Sequence, residues 1–152
     1  MKTIVAVRGV GSCGKTTSIK RVPELLRRAH PDATVEWFVN GVEIKVIITI
    51  NGALVGIESQ GDPNSRLPRS LDYFVKVGCE VIVCATRSRG GTVDAVSALA
   101  DKYQIQWLIK HRGERAEAQE IDNEETANQI VGAVNAALSQ RSRSDLALMA
   151  AE

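Results

Sequence analysis

Aromatic residues are scarce in this chain, with two each of Trp, Tyr and Phe among 152 residues. So few rings argue against a stacking platform for nucleic-acid bases. A charge excess is also missing: 19 basic residues face 18 acidic ones, for a net charge of +1. Nothing global therefore points to nucleic acid or to an acidic substrate. No apolar run approaches the roughly 18–20 residues of a membrane span. The N-terminal stretch TIVAV is too short for a secretory leader, and Arg8 interrupts it. Cysteine is limited to Cys13, Cys79 and Cys84, an odd number that suits a reducing, cytoplasmic compartment better than a disulfide framework. His30 and His111 have no metal-site spacing. There is no internal repeat and no composition shift that would mark a second domain.

The length and the apolar content of 44% instead fit one globular domain, expected over 1–138, with 139–152 as a mobile tail. Residues 2–8, KTIVAVR, read as a buried central strand. A helical pattern runs from Lys15 to about Arg28, with Pro23 expected to bend or divide it. TVEWFV, VEIKVIITI and ALVGIES are β-rich and separated by Asn40-Gly41 and Asn51-Gly52, which predicts an antiparallel meander over 34–59. A helix is expected over 66–78, closed by Gly78 with Pro68 in its first turn, then a strand over 79–86. A helix capped by Thr92, a strand QIQWLIK and a long helix bearing Ala127, Ile130, Val131, Val134, Ala137 and Leu138 complete the chain. Trp37 and Trp107 read as strand packing residues. The alternation predicts an α/β sandwich with a mostly parallel sheet and an antiparallel hairpin.

The informative stretch lies between the first strand and the first helix. Gly9-Val10-Gly11-Ser12-Cys13-Gly14-Lys15-Thr16 satisfies G-x-x-x-x-G-K-[ST] in full. Glycines let successive backbone N–H groups turn toward a phosphate, and the following helix presents its positive end there. Lys15 can reach β- and γ-phosphates. The Thr16 hydroxyl can ligate Mg²⁺, with Thr17 beside it near the α-phosphate. At these eight residues the chain resembles the P-loop nucleoside-triphosphatase superfamily. The resemblance implies a three-layer sandwich, a bound nucleoside triphosphate and Mg²⁺.

Members of that superfamily place an acidic residue at the end of a neighbouring strand to hold the metal. Glu58 ends an apolar run and Asp62 follows in the loop QGDPNSR. Alternation puts Ile57 and Ser59 on one face and Glu58 on the other. Glu58 is the slightly favoured metal carboxylate. Asp62 is a second metal partner or a catalytic base, or else a cap for the following helix. The layout is also similar to small GTPases, with Glu58-Ser59-Gln60-Gly61 standing where that family has D-x-x-G and Gln60 placed to orient a water. It departs from them at the base-reading loop, where Thr86-Arg87-Ser88-Arg89 carries no aspartate for guanine. ATP is therefore the expected nucleotide.

Arg87 and Arg89 follow the 79–86 strand, at the sheet edge where ligands of open parallel sheets bind. There they can clamp phosphates, and Gly90-Gly91 would let their loop move. This arrangement is similar to small nucleotide and metabolite kinases, whose mobile arginines cover the transferring phosphoryl group. The alternative is an ordinary solvated loop. The segment 110–117 is a candidate short lid or base-contacting loop. Cys13, inside the phosphate loop, reads as a small side chain that fits, or as a site where oxidation would block the nucleotide. Three functions follow: an Mg-dependent phosphotransferase with a small-molecule acceptor, an NTPase or switch stimulated by a protein partner or by homodimerisation, and a binding module without turnover.

Overall fold

A computed structural model describes residues 2–11, 13–111 and 116–151. The chain opens with β1 (Lys2–Arg8), whose β-branched centre is completely buried. The helical region that follows is split, as Pro23 requires, into α1 (Lys15–Lys20) and α2 (Val22–Ala29). The meander follows as β2 (Thr34–Asn40), β3 (Ile44–Ile50) and β4 (Ala53–Glu58). Then come α3 (Leu67–Val77), β5 (Val81–Thr86), α4 (Gly91–Ser97), β6 (Tyr103–Ile109) and α5 (Ala116–Ala151).

The six strands form one sheet in the order β2-β3-β4-β5-β1-β6. β4, β5, β1 and β6 run parallel to one another, while β2–β3 and β3–β4 are antiparallel. β1 thus lies between β5 and β6, and β4 is one strand removed from it. Alternation along the strands divides the core. Val5, Val7, Ile57 and Val83 face α1, α2 and α5 through Ile19, Val22, Leu26, Ile130 and Val134. Ile4, Ala6, Ile82 and Cys84 face α3 and α4 through Leu67, Leu71, Phe74 and Val96.

Several local expectations hold. Gly78 closes α3 in the left-handed conformation, at φ 86°. Asn51 and Gly52 both have positive φ, as a type I′ hairpin turn requires. Asn40-Gly41 behaves differently: neither has positive φ, and three residues, Gly41 to Glu43, connect β2 to β3. Thr92 does not cap α4. Gly90 is the cap, and Thr92 is buried in the first turn, where its hydroxyl accepts the Arg87 N–H at 3.0 Å. Trp37 is 41% exposed, because β2 is an edge strand. Trp107 is partly buried and carries the Arg8 guanidinium over its ring at 5.3 Å. α5 continues without a break through 139–151, the segment expected to form a tail. Among the described residues no helix is long and apolar enough to cross a membrane.

Candidate functional site

The glycine-rich stretch after β1 leads into α1 at the C-terminal edge of the parallel strands. Gly14 caps α1 at φ 93°, a conformation that side chains rarely adopt. It is also crowded: a Cβ there would run into Asn123 Oδ1 and stand 2.8 Å from Gln119 Nε2, both on α5. Gly9 is similarly close to a neighbour, with the Lys110 carbonyl 2.5 Å from where its Cβ would be. The loop is therefore packed between the β6 end and the first turns of α5. Gln119 donates to the Cys13 carbonyl at 2.8 Å and fastens that contact. The Lys110 ammonium is buried behind it, paired with Asp122 and Thr126. Ser12 and residues 112–115, the middle of the candidate 110–117 lid, lie outside the described residues.

Lys15 is 7% exposed. Its Nζ donates to the carbonyls of Gly9 at 2.7 Å and Val10 at 2.8 Å and lies 3.8 Å from Cys13 Sγ. Burial pushes its pKa below the ordinary 10.5. The nearby Arg87 cation adds to this, and Cys13 and Asp62 partly offset it.

Next to the lysine lies a cavity of about 430 Å³, lined by Gly14, Lys15, Thr16, Thr17, Ser59, Gly61, Asp62, Gln119 and Asn123. Its size falls within the usual range for small-ligand pockets. Its lining is unusual in being mainly polar, with hydroxyls, amides, a carboxylate and an ammonium.

The structure brings Asp62 and Arg87 together at this cavity. Arg87 Nε donates to Asp62 Oδ1 at 3.1 Å. The same guanidinium lies over the loop, because a Cβ on Gly11 would be 2.6 Å from Arg87 Nη1. Asp62 does not cap α3, whose cap position is Arg66. Arg89 is exposed on the 87–90 loop, and Arg8 Nε holds that loop through the Ser88 carbonyl at 2.6 Å.

Glu58 is not brought to the cavity. Its side chain is fully buried on the opposite face of the sheet, toward α3. Arg66 grips it with Nε at 2.6 Å and Nη2 at 3.0 Å, Ser70 Oγ donates at 2.7 Å and the Gln60 N–H at 3.1 Å. The carboxylate expected to hold a metal is instead the anchor of the 59–66 loop. Gln60, expected to orient a water, has its side-chain carbonyl 3.3 Å from the Arg66 N–H. On the β4 side, the strand that neighbours β1 is β5, and it ends in Thr86, which carries no charge.

One acidic residue that sequence reasoning passed over does reach the loop. Glu43, from the β2–β3 connection, accepts the Thr16 hydroxyl at 3.2 and 3.3 Å through its two oxygens. Ser59 Oγ donates to the same carboxylate at 2.5 Å and accepts the Ile44 N–H at 2.8 Å. Ser59, Gln119 and Asn123 were likewise not singled out. Alternation had placed Ser59 opposite Glu58, and that was the available signal. Among the described residues, no three His, Cys, Asp or Glu side chains gather as a protein-only metal cage. No family model, curated protein or solved structure matches this chain.

Proposed function

We propose that this chain binds a nucleoside triphosphate with Mg²⁺, ATP being the preferred nucleotide. It uses the γ-phosphate in phosphoryl transfer, as a small kinase-like phosphotransferase or an ATPase of the P-loop type. The observation that carries the reading is Lys15. A buried ammonium with a lowered pKa, held by the Gly9 and Val10 carbonyls and the Cys13 sulfur beside an open polar cavity, is costly unless an anion meets it. It stands at the position where G-x-x-x-x-G-K-T puts a phosphate-binding lysine.

The donors at the cavity suit Mg²⁺, a hard cation that takes oxygen ligands and usually shares them with phosphates: the Thr16 hydroxyl lies there, with carboxylates at hand. Bound metal would neutralise phosphate charge. Lys15 balances the β- and γ-phosphates, and Arg87, already over Gly11, turns from Asp62 to the transferring group. Asp62 is then released to accept a proton from an acceptor hydroxyl or from water. Arg89 extends the same positive edge toward an acceptor.

A second reading, a nucleotide-dependent switch that acts on a protein partner, is favoured by one contact. Glu43 links the hydroxyl of Thr16 to the β2–β3 connection, whose Val42 is 85% exposed. A change at Thr16 would reach that surface.

The test is ATP and GTP binding with Mg²⁺, and phosphate release, for the wild type and Lys15→Ala. Lys15→Ala is expected to lose at least about 2 kcal/mol of nucleotide affinity, the scale of a charge-assisted contact. Turnover that rises with one member of a pool of nucleosides, nucleoside monophosphates and small metabolites supports the phosphotransferase. Slow release whatever small molecule is added favours the switch. Binding of neither nucleotide rejects the P-loop reading.

A further inference from the structure

We infer that Glu43, delivered by the β2–β3 connection, is the carboxylate that holds the nucleotide's metal ion opposite Thr16. The inference rests on reading the cavity as an Mg–nucleotide site and names the protein's acidic contribution to it.

Three carboxylates compete for this role. Glu58 is excluded by geometry: it is buried on the far face of the sheet and already accepts from Arg66, Ser70 and the Gln60 N–H. Asp62 faces the cavity, but its Oδ1 is paired with Arg87 at 3.1 Å and its side chain is 60% exposed. Glu43 alone meets the phosphate-loop hydroxyl, with both oxygens 3.2–3.3 Å from Thr16 Oγ1.

The position of Glu43 is built. Ser59 Oγ reaches Oε2 at 2.5 Å and takes the N–H of Ile44, the residue after Glu43, at 2.8 Å. The Ser59 N–H in turn donates to the Ile44 carbonyl at 3.0 Å. One serine therefore fixes both the backbone and the carboxylate of the connection. Glu43 contacts two hydroxyls that line the cavity, Thr16 and Ser59, and a hydroxyl and a carboxylate in contact at its edge are what a small, hard dication would separate and bridge, directly or through its own water. The carboxylate is held by a neighbour's hydroxyl, as outer-shell partners usually hold a ligating group.

The test titrates Mg²⁺ against binding of a fluorescent ATP analogue to the full chain, with Mn²⁺ binding in the same complex read by electron paramagnetic resonance. Circular dichroism checks each variant's fold. For Glu43→Gln the expected result is metal affinity in the nucleotide complex weaker by at least roughly 100-fold, the upper end of what loss of an outer-shell partner alone costs. Metal-free nucleotide affinity should be kept or improved, since a negative charge near the phosphates is gone. Ser59→Ala removes the tie but keeps the carboxylate, and its loss is expected to be clearly smaller. A Glu43→Gln protein with wild-type Mg²⁺ dependence overturns the inference and leaves the nucleotide reading intact. Equal losses in the two variants also overturn it, because they would assign the effect to the position of the connection. A wild type that binds no nucleotide in either metal condition rejects both.

Discussion

Glu58 and Arg66 show how one side chain can be turned from chemistry to architecture by the face on which it emerges. Strand alternation sends Ile57 toward α1 and α5, so Glu58 must face α3. There its charge is offset by a bidentate guanidinium that is itself only 24% exposed. Removing the guanidinium would leave a buried carboxylate with only Ser70 and one backbone N–H. Arg66→Ala is therefore expected to lower stability by about 3 kcal/mol, at the lower end for a broken buried pair. Urea unfolding measures this. An unchanged midpoint would mean that the Glu58 carboxylate is rehydrated at little cost. The alternation was legible in the sequence, and Ser59 was already placed opposite Glu58. Which face would carry α1 was not legible, because helices pack on both sides of the sheet and both faces of β4 are largely buried.

At the scale of elements, the glycine-rich loop between β1 and α1 depends on α5, which lies more than a hundred residues away in the chain. Gly14 combines a left-handed φ with contact to Asn123 and Gln119. Gly14→Ala should cost about 1–2 kcal/mol from the backbone conformation alone, and more from the collision with Asn123. In an Asn123→Ala background the same substitution is expected to cost less, leaving mainly the φ term. A double-mutant cycle by denaturant unfolding reads this coupling, and strict additivity would show that α5 gives way without resistance. The strand–loop–helix unit was legible from glycine chemistry and periodicity, as was the break at Pro23. The docking of α5 on Gly14 was not, since nothing local at Gln119 or Asn123 distinguishes them from the solvated face of a helix. The β2–β3 connection is a related case. Asn-Gly signalled a hairpin at both 40–41 and 51–52, but only the second is a two-residue turn with positive φ. The first is longer by one residue, and that extra residue is Glu43.

The whole molecule encloses groups that resist ionisation. Burial pushes the Cys79 and Cys84 thiols from 9.0, and the Tyr103 phenol from 10.0, up to about 12. The folded chain keeps these protons at pH values where the unfolded chain releases them. Stability from these groups is therefore intact below about pH 9 and falls as pH rises toward 12. Lys15 acts in the opposite sense, because its lowered pKa makes the unfolded chain the better proton binder up to 10.5. Three groups against one give a net loss of stability in alkali. Cys84→Ala is expected to flatten the fall measured by urea unfolding between pH 9 and 11. Equal slopes for variant and wild type would place the loss elsewhere.

The sequence by itself determined the order of strands and helices, the division at Pro23, the meander and the glycine-rich turn between β1 and α1. Each of these depends on residues close together in the chain, through propensity, alternation or the freedom of glycine. Tertiary structure decided the order β2-β3-β4-β5-β1-β6, which puts β5 rather than β4 beside β1 and the glycine-rich loop after it. It also decided which carboxylate meets Thr16, and that Arg87 and Asp62 pair over the cavity. The last two join residues 27 and 25 positions apart. They depend on which strands share hydrogen bonds and which faces share a core, and no local pattern encodes that.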